Sequence, residues 1–222
     1  MKKPVLIFDY DGTIHNTIQI YEQAFRSAHR LLVEEGVVKD EYISTKRIAG
    51  WLGLNAKDMW NDFQPDMEEK YKELSSQRVG EGMVSFVKDH KAVWYPGAAE
   101  VLDRLKEEGY PMVILSNCKV AYREAHWQEF QMERWFERFY DCQSFDFQPK
   151  TEIVKTVMKD YPGSYLVIGD RKNDLLCGKS IGAPFIGCLY GFCEEGELVE
   201  ADLLIRDISE LVDAVHKLEG CL

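Results

Sequence analysis

The sequence predicts an α/β protein built on a doubly wound parallel sheet, with a helical segment inserted after the first strand. Three observations carry this reading. Short apolar runs recur along the chain and alternate with helical stretches, as in a parallel sheet covered on both faces. Polar residues with chemical potential follow several of those runs, where open sheets of this type bind ligands. The stretch from about Asn16 to Ala92 is helix-like throughout, and a simple crossover needs only one helix. The expected core is therefore Rossmann-like, formed by residues 1–15 and 93–222, with residues 16–92 as the insert.

Val5-Leu6-Ile7-Phe8 reads as a buried strand, too short for a signal-peptide core or a membrane span. It ends at Asp9, and alternation along extended backbone would point Asp9 and Asp11 the same way. A helix follows, with Tyr21, Phe25, Ala28, Leu32 and Val33 at three- and four-residue steps, and Gly36 ends it. Gly50 and Gly53 break the insert around Trp51. Asn55 could cap a helix starting at Ala56, and Pro65 suits the start of a long helix running toward His90. Trp94-Tyr95-Pro96-Gly97 marks the return to the core. A helix over Ala98 to Glu108 stops at Gly109, and Pro111 to Leu115 reads as the next strand. Further strands fall at Phe139 to Cys142, Tyr165 to Ile168 and Pro184 to Cys188, with a short last one at Leu203 to Ile205. Helices fall near Thr151 to Lys159, Asn173 to Ile181 and Ser209 to Leu218.

The 222 residues are 45% hydrophobic and 29% charged, which suits a packed globular protein. The formal charge of −11 argues against a basic surface for nucleic acid. No apolar run reaches the roughly 18 residues of a membrane span, and strand-like sequence begins immediately after Met1-Lys2-Lys3. A cytoplasmic monomer or homodimer is expected. Cys118, Cys142, Cys177, Cys188, Cys193 and Cys221 form no CxxC pair and have no histidines at zinc-finger spacing, so they are expected as reduced thiols. Cys118 reads as a small half-buried residue rather than a redox-sensitive one. The five acids between Glu194 and Asp202 read as a solvated surface.

Asp9 and Asp11 sit in Asp9-Tyr10-Asp11-Gly12-Thr13. Two carboxylates held close repel each other unless a cation lies between them or one stays protonated. An ordinary Asp-Gly turn would not need that cost; a magnesium site carrying a nucleophile would. Ser116-Asn117 follows the second strand, where a hydroxyl beside backbone N–H groups can hold a phosphate oxygen, though Ser-Asn is also common in plain turns. Lys150 could balance a dianion, although a lone lysine is more often solvated. Gly169-Asp170-Arg171-Lys172-Asn173-Asp174 places Asp170 at a strand tip and Asp174 in a helix's first turn. Gathered near Asp9, these carboxylates would form an oxygen-rich site for a hard divalent ion.

The order strand-DxDGT, strand-Ser, Lys, strand-GDxxxD resembles the haloacid dehalogenase-like hydrolases across essentially the whole chain. Tyr95-Pro96-Gly97, Gly169-Asp170, Gly187 to Phe192 and Ala201 to Ile205 look like the phosphoglycolate phosphatase-like branch. The resemblance implies that residues 16–92 form a helical cap of that family's first type. It implies Asp9 as a nucleophile forming an aspartyl-phosphate and Asp11 as general acid and base. Ser116 and Lys150, with Gly12, Thr13 and Asn117 beside them, would hold the phosphoryl group. Mg²⁺ would be held by Asp9, Asp170 and the backbone carbonyl of Asp11, with Asp174 in support. The implied substrate is a small phosphorylated metabolite. A phosphomutase of the beta-phosphoglucomutase type shares this core, and a non-catalytic phosphate-binding protein is a further alternative. Arg171 departs from the small hydroxyl residue common in the branch. Ile48-Ala49-Gly50-Trp51 lacks the Lys-Gly pair of beta-phosphoglucomutases. Lys46, Arg47, Trp51, Asn55 and Arg78 are candidate specificity residues, and His15 and Asn16 are candidates for the site entrance or for packing.

Overall fold

The structure, a computed structural model, describes residues 2–54 and 56–220. The capping role expected of Asn55, its candidacy for specificity, and Cys221 lie outside the described residues. The chain divides into two compact units, Met1–Asn16 with Trp94–Leu222, and Thr17–Val93.

The first unit holds a six-stranded parallel sheet in the order β3-β2-β1-β4-β5-β6. Its strands are β1 (Val5–Phe8), β2 (Met112–Ser116), β3 (Arg138–Asp141), β4 (Tyr165–Gly169), β5 (Phe185–Cys188) and β6 (Leu203–Ile205). Every residue of β1, β2, β4 and β5 is buried, because both sheet faces are covered. One face carries Val5, Ile7, Val113, Leu115 and Val167. It packs on Ile153, Val154 and Val157 of helix Lys150–Asp160 and on Leu175 and Cys177 of helix Lys172–Ser180. Helices Ala98–Glu107 and Leu211–Glu219 pack against each other, and the latter also lies against β4 and β6. The chain passes from β1 outward to β3, then returns to β4 on the other side of β1. That reversal makes the C-terminal tips of β1 and β4 the switch point, where such sheets bind ligands.

The second unit is all-helical: α1 (Ile18–Glu34), α2 (Thr45–Gly50), α3 (Ala56–Phe63) and α4 (Glu69–Lys88). Gly36 adopts φ +70° just past α1. Its N–H bonds Val33 O at 2.9 Å and that of Val37 bonds Leu32 O at 2.8 Å, a Schellman closure that only a residue tolerant of positive φ makes without strain. Gly82 of α4 faces the Cβ of Ala24, so α1 and α4 approach closely. Phe25, Trp51, Trp60 and Phe63 form an aromatic core with ring centroids 5.0–5.8 Å apart. Burying each such ring contributes roughly 2–3 kcal/mol.

Several expectations need correction. Pro65 lies in a turn, and the long helix begins only at Glu69. The helix Val120–Glu129 between β2 and β3 was not foreseen, since its polar and apolar residues lack a clean period. Strand β1 stops at Phe8, so the alternation expected to aim Asp9 and Asp11 alike does not reach them. Ser116 is the last residue of β2 rather than the residue after it. Trp51 is 4% exposed and donates to Asp62 at 2.7 Å, which makes it part of the aromatic core and not an open specificity residue; the Arg47 guanidinium lies 5.5 Å from its ring centroid. Glu197 is not a solvated acid, whereas Asp202 is exposed as expected. Glu197 accepts from Arg171 Nε at 3.0 Å and from the Lys172 and Glu194 N–H groups, both at 2.7 Å, while Asp202 accepts from the Phe185 N–H at 2.8 Å.

Candidate active site

The site grows from the tip of β1. The Asp9 N–H bonds Ile168 O at 2.8 Å, so the backbone is still held to β4 where the side chain leaves the sheet. The next residues curl around one carbonyl: Tyr10 O accepts from the N–H groups of Thr13, Ile14 and His15 at 3.3, 3.0 and 3.0 Å. Gly12 adopts φ +85° within that curl, and a Cβ there would overlap the Asp170 carboxylate. Gly191 approaches the same residue, and a Cβ there would collide with Asp170 and with the Gly12 carbonyl. Asp170 thus packs against two glycines, a close approach that a larger residue would not permit. It accepts from the Phe192 N–H at 2.6 Å and from the Thr13 hydroxyl at 3.4 Å.

Asp174 occupies the first turn of helix Lys172–Ser180 and accepts from the Arg171 N–H at 3.0 Å, capping the helix. Its other oxygen meets Lys150. Lys150 is the first residue of helix Lys150–Asp160, and its ammonium donates to Asp9 Oδ1 and Asp174 Oδ1, both at 2.6 Å. Asp9, Asp170 and Asp174 are all buried, and one ligand oxygen from each lies within 4.8 Å of the others. Three carboxylates thus face one ammonium.

The electrostatics follow from that count. Burial, then the Asp174 charge, pushes Asp9 up to about 7 against the pull of Lys150. Burial, then Asp9 and Asp174, pushes Asp170 well above the usual carboxylate range. Burial alone would lower Lys150, but Asp174 and Asp9 outweigh it and hold the ammonium charged well above its ordinary range. The ion pair thus secures the lysine without relieving the carboxylates. An all-oxygen donor set with excess negative charge fits a hard divalent cation such as Mg²⁺, which neutralises that excess.

Asp11 leaves the cluster in another direction. Its Oδ1 accepts from the Tyr122 hydroxyl at 2.6 Å and lies 3.1 Å from His15 Nδ1. His15, expected near the entrance or in packing, is fully buried and stacks on Tyr10. The Tyr10 hydroxyl accepts from Trp94 Nε1 at 3.0 Å and shares a hydrogen bond with His126 Nδ1 at 2.7 Å. Burial, then His15, pushes His126 well below the usual imidazole range, so the ring is neutral.

Ser116 is buried, and it and Asp170 each lie two residues beyond the β2 and β4 partners of Phe8, Ile114 and Ile168, on opposite flanks of β1. Asn117 is exposed. Cys118 hydrogen-bonds with Ser116; burial, then Asp11, holds its thiol well above the ordinary range, so it stays protonated and unreactive. All five described cysteines are free. Among the described residues no helix is long and apolar enough to cross a membrane.

Tyr122 and His126 were not singled out from sequence, and Gly191 and Phe192 entered only as part of the Gly187 to Phe192 resemblance, not as parts of the site. Tyr122 and His126 stand four apart on a helix whose pattern gave no signal, and the Phe192 contribution is a backbone N–H that any non-proline residue could supply.

Replacing Gly12 with Ala should destabilise the protein and weaken Mg²⁺ binding together. Positive φ alone costs roughly 1–2 kcal/mol, and the overlap displaces Asp170. Thermal unfolding and calorimetric Mg²⁺ titration check this; a variant with unchanged Mg²⁺ affinity would show that Asp170 does not need this approach.

A model of the family described as haloacid dehalogenase-like hydrolase matches residues 6–188. A phosphoglycolate phosphatase of Vibrio parahaemolyticus is 23% identical over 225 residues, covering 95% of each chain. A glyceraldehyde 3-phosphate phosphatase of Pyrococcus furiosus is 22% identical over 232 residues, covering 97% of this chain and 94% of that one. Among solved structures, a predicted phosphoglycolate phosphatase from Haemophilus somnus superposes with a TM-score of 0.81 at 20% identity, covering 96% of this chain and 98% of its own. CbbY from Rhodobacter sphaeroides in complex with phosphate gives 0.76 at 19% identity, covering 94% and 96%.

Proposed function

This chain belongs to the haloacid dehalogenase-like hydrolase family, and from that premise we propose that it is a Mg²⁺-dependent phosphatase of small phosphomonoester metabolites, phosphoglycolate-like acids foremost. The observation that carries this reading is Lys150 spanning Asp9 and Asp174 beside Asp170. The phosphoglycolate phosphatases and the glyceraldehyde 3-phosphate phosphatase among its relatives support the substrate class.

Asp9 is the nucleophile. Its carboxylate oxygen attacks phosphorus, the phosphorus–oxygen bond to the leaving group breaks, and an aspartyl-phosphate forms. Asp11 gives its proton to the departing alkoxide. Water then attacks the aspartyl-phosphate, Asp11 takes back a proton, and inorganic phosphate leaves. Lys150 keeps Asp9 aimed and offsets charge on the phosphoryl group, with Ser116 as its further donor. Asp9, Asp170 and the Asp11 carbonyl would hold Mg²⁺, with Asp174 in support through Lys150. The ion supplies the positive charge that lets an anionic nucleophile meet an anionic ester.

The test is phosphate release from a panel including 2-phosphoglycolate, glyceraldehyde 3-phosphate and hexose phosphates, with Mg²⁺ or with EDTA. The expected result is release from a small ester with Mg²⁺ and at least about 100-fold less with EDTA. Full activity in EDTA would sink the metal assignment. Isomerisation of a sugar phosphate without phosphate release would replace the phosphatase with a mutase.

A further inference from the structure

The geometry points to Tyr122 as a positioning residue that, together with His15, fixes which oxygen of Asp11 carries the transferred proton. This rests on the reading of Asp11 as the acid in phosphate-ester cleavage, and it goes beyond that reading in assigning two residues outside the carboxylate cluster.

Three groups close a triangle. The Tyr122 hydroxyl donates to Asp11 Oδ1 at 2.6 Å, His15 Nδ1 lies 3.1 Å from the same oxygen, and Nδ1 lies 3.1 Å from the Tyr122 oxygen. A phenol has one proton, and here it goes to Asp11. With that bond made, Asp11 Oδ1 is already an acceptor for Tyr122 and is flanked by His15 Nδ1, so it is the poorer place for a further proton and the acidic proton rides on Oδ2. The carboxyl group is also kept from rotating. His15 is fully buried and stacks on Tyr10 with centroids 5.3 Å apart, and the Tyr10 hydroxyl is tied to Trp94 and His126. A purely structural knot would have no need to reach solvent. In this one the Asp11 side chain is 24% exposed while that of His15 is 0%, so the rigid network opens to solvent at the carboxylate.

Phenyl phosphate and p-nitrophenyl phosphate separate the possibilities. They bind alike, but phenolate needs a proton as it departs and p-nitrophenolate scarcely does. Tyr122→Phe should lower kcat for phenyl phosphate about 10-fold, the scale of one lost hydrogen bond, with KM unchanged and p-nitrophenyl phosphate nearly unaffected. In an Asp11→Asn background Tyr122→Phe should cost nothing further, because the two residues act as one unit. His15→Phe keeps the stack on Tyr10 and removes the Nδ1 contact with Asp11; it should show the same selective loss and guards against a Tyr122 variant that folds poorly. Equal losses on both esters, no loss on either, or the same loss with and without Asp11 would overturn the assignment. An Asp11→Asn variant equally impaired on both esters would instead overturn the acid role itself, which separates the two failures.

Discussion

Replacing Asp9 with Asn should abolish turnover and, in metal-free buffer at pH 8, raise the melting temperature. The first effect follows from the proposed chemistry, since an amide cannot form the aspartyl-phosphate; residual activity above about one per cent would argue against covalent catalysis at Asp9. The second follows from the cluster's charge. Asp9 is pushed up to about 7 because burial and Asp174 disfavour its ionised form more than Lys150 favours it. An unfolded aspartate titrates near 4. Between those values the folded protein binds the extra proton, so stability is greatest below about pH 4 and is lost as pH rises through about 7. Asn is neutral throughout and nearly the same shape. The variant and the parent should therefore melt together at about pH 3, where Asp9 is protonated in both the folded and the unfolded parent. They should separate at pH 8, with the variant higher. Adding Mg²⁺ at pH 8 should stabilise the parent more than the variant, since only the parent presents the full carboxylate set. Calorimetric scans at the two pH values, with EDTA and with Mg²⁺, check this. A variant less stable than the parent at pH 8 in EDTA would mean that the attraction of Lys150 outweighs burial and the neighbouring carboxylates.

The same cluster shows how far a sequence carries. Asp9, Asp170 and Lys150 were legible because each directly follows or precedes a strongly patterned element, and strand tips in a parallel sheet converge. The Val5–Phe8 and Tyr165–Gly169 strands are buried at every position, so their apolar runs are unbroken and their ends stand out. Asp174 was legible as a first-turn acid, though not the sharing of one ammonium between it and Asp9. The surroundings of Asp11 were not legible. Tyr122 lies 111 residues away, on a helix with no clear apolar period, and nothing local marks it as the partner of Asp11. The Glu197 pairing with Arg171 hid for a related reason. In the sequence Glu197 stands among other acids, and only the turn formed by residues 194–197 carries it back to the helix start at Lys172. Trp51 shows the opposite error, an aromatic between two glycines that looked available and instead packs on Phe25 and Phe63. Local pattern reveals which face of an element is buried; it does not reveal which distant polar group completes a buried side chain.

Lys150→Met should both destabilise the protein and silence it, and the two losses should respond differently to metal. Methionine matches the length and apolar stem of the lysine, so packing against helix Lys172–Ser180 is largely kept. What disappears is the one cation that donates to both Asp9 and Asp174 at 2.6 Å. Removing one partner of a buried ion pair typically costs about 3–5 kcal/mol, because the remaining charge stays buried without compensation. For a protein of this size that corresponds to a fall in melting temperature on the order of 10 °C. The fall should be steepest above pH 7, where Asp9 ionises, and smaller at pH 5. Mg²⁺ should recover part of the stability by supplying charge to the same carboxylates. It should not recover turnover, because in the proposed mechanism Lys150 also aims Asp9 and meets the phosphoryl group, and added positive charge alone does not replace that positioning. Thermal scans across pH and metal, paired with phosphate release, check both halves. If Mg²⁺ restored stability and activity in parallel, Lys150 would be only a counter-ion, and its role in orienting Asp9 would have to be withdrawn.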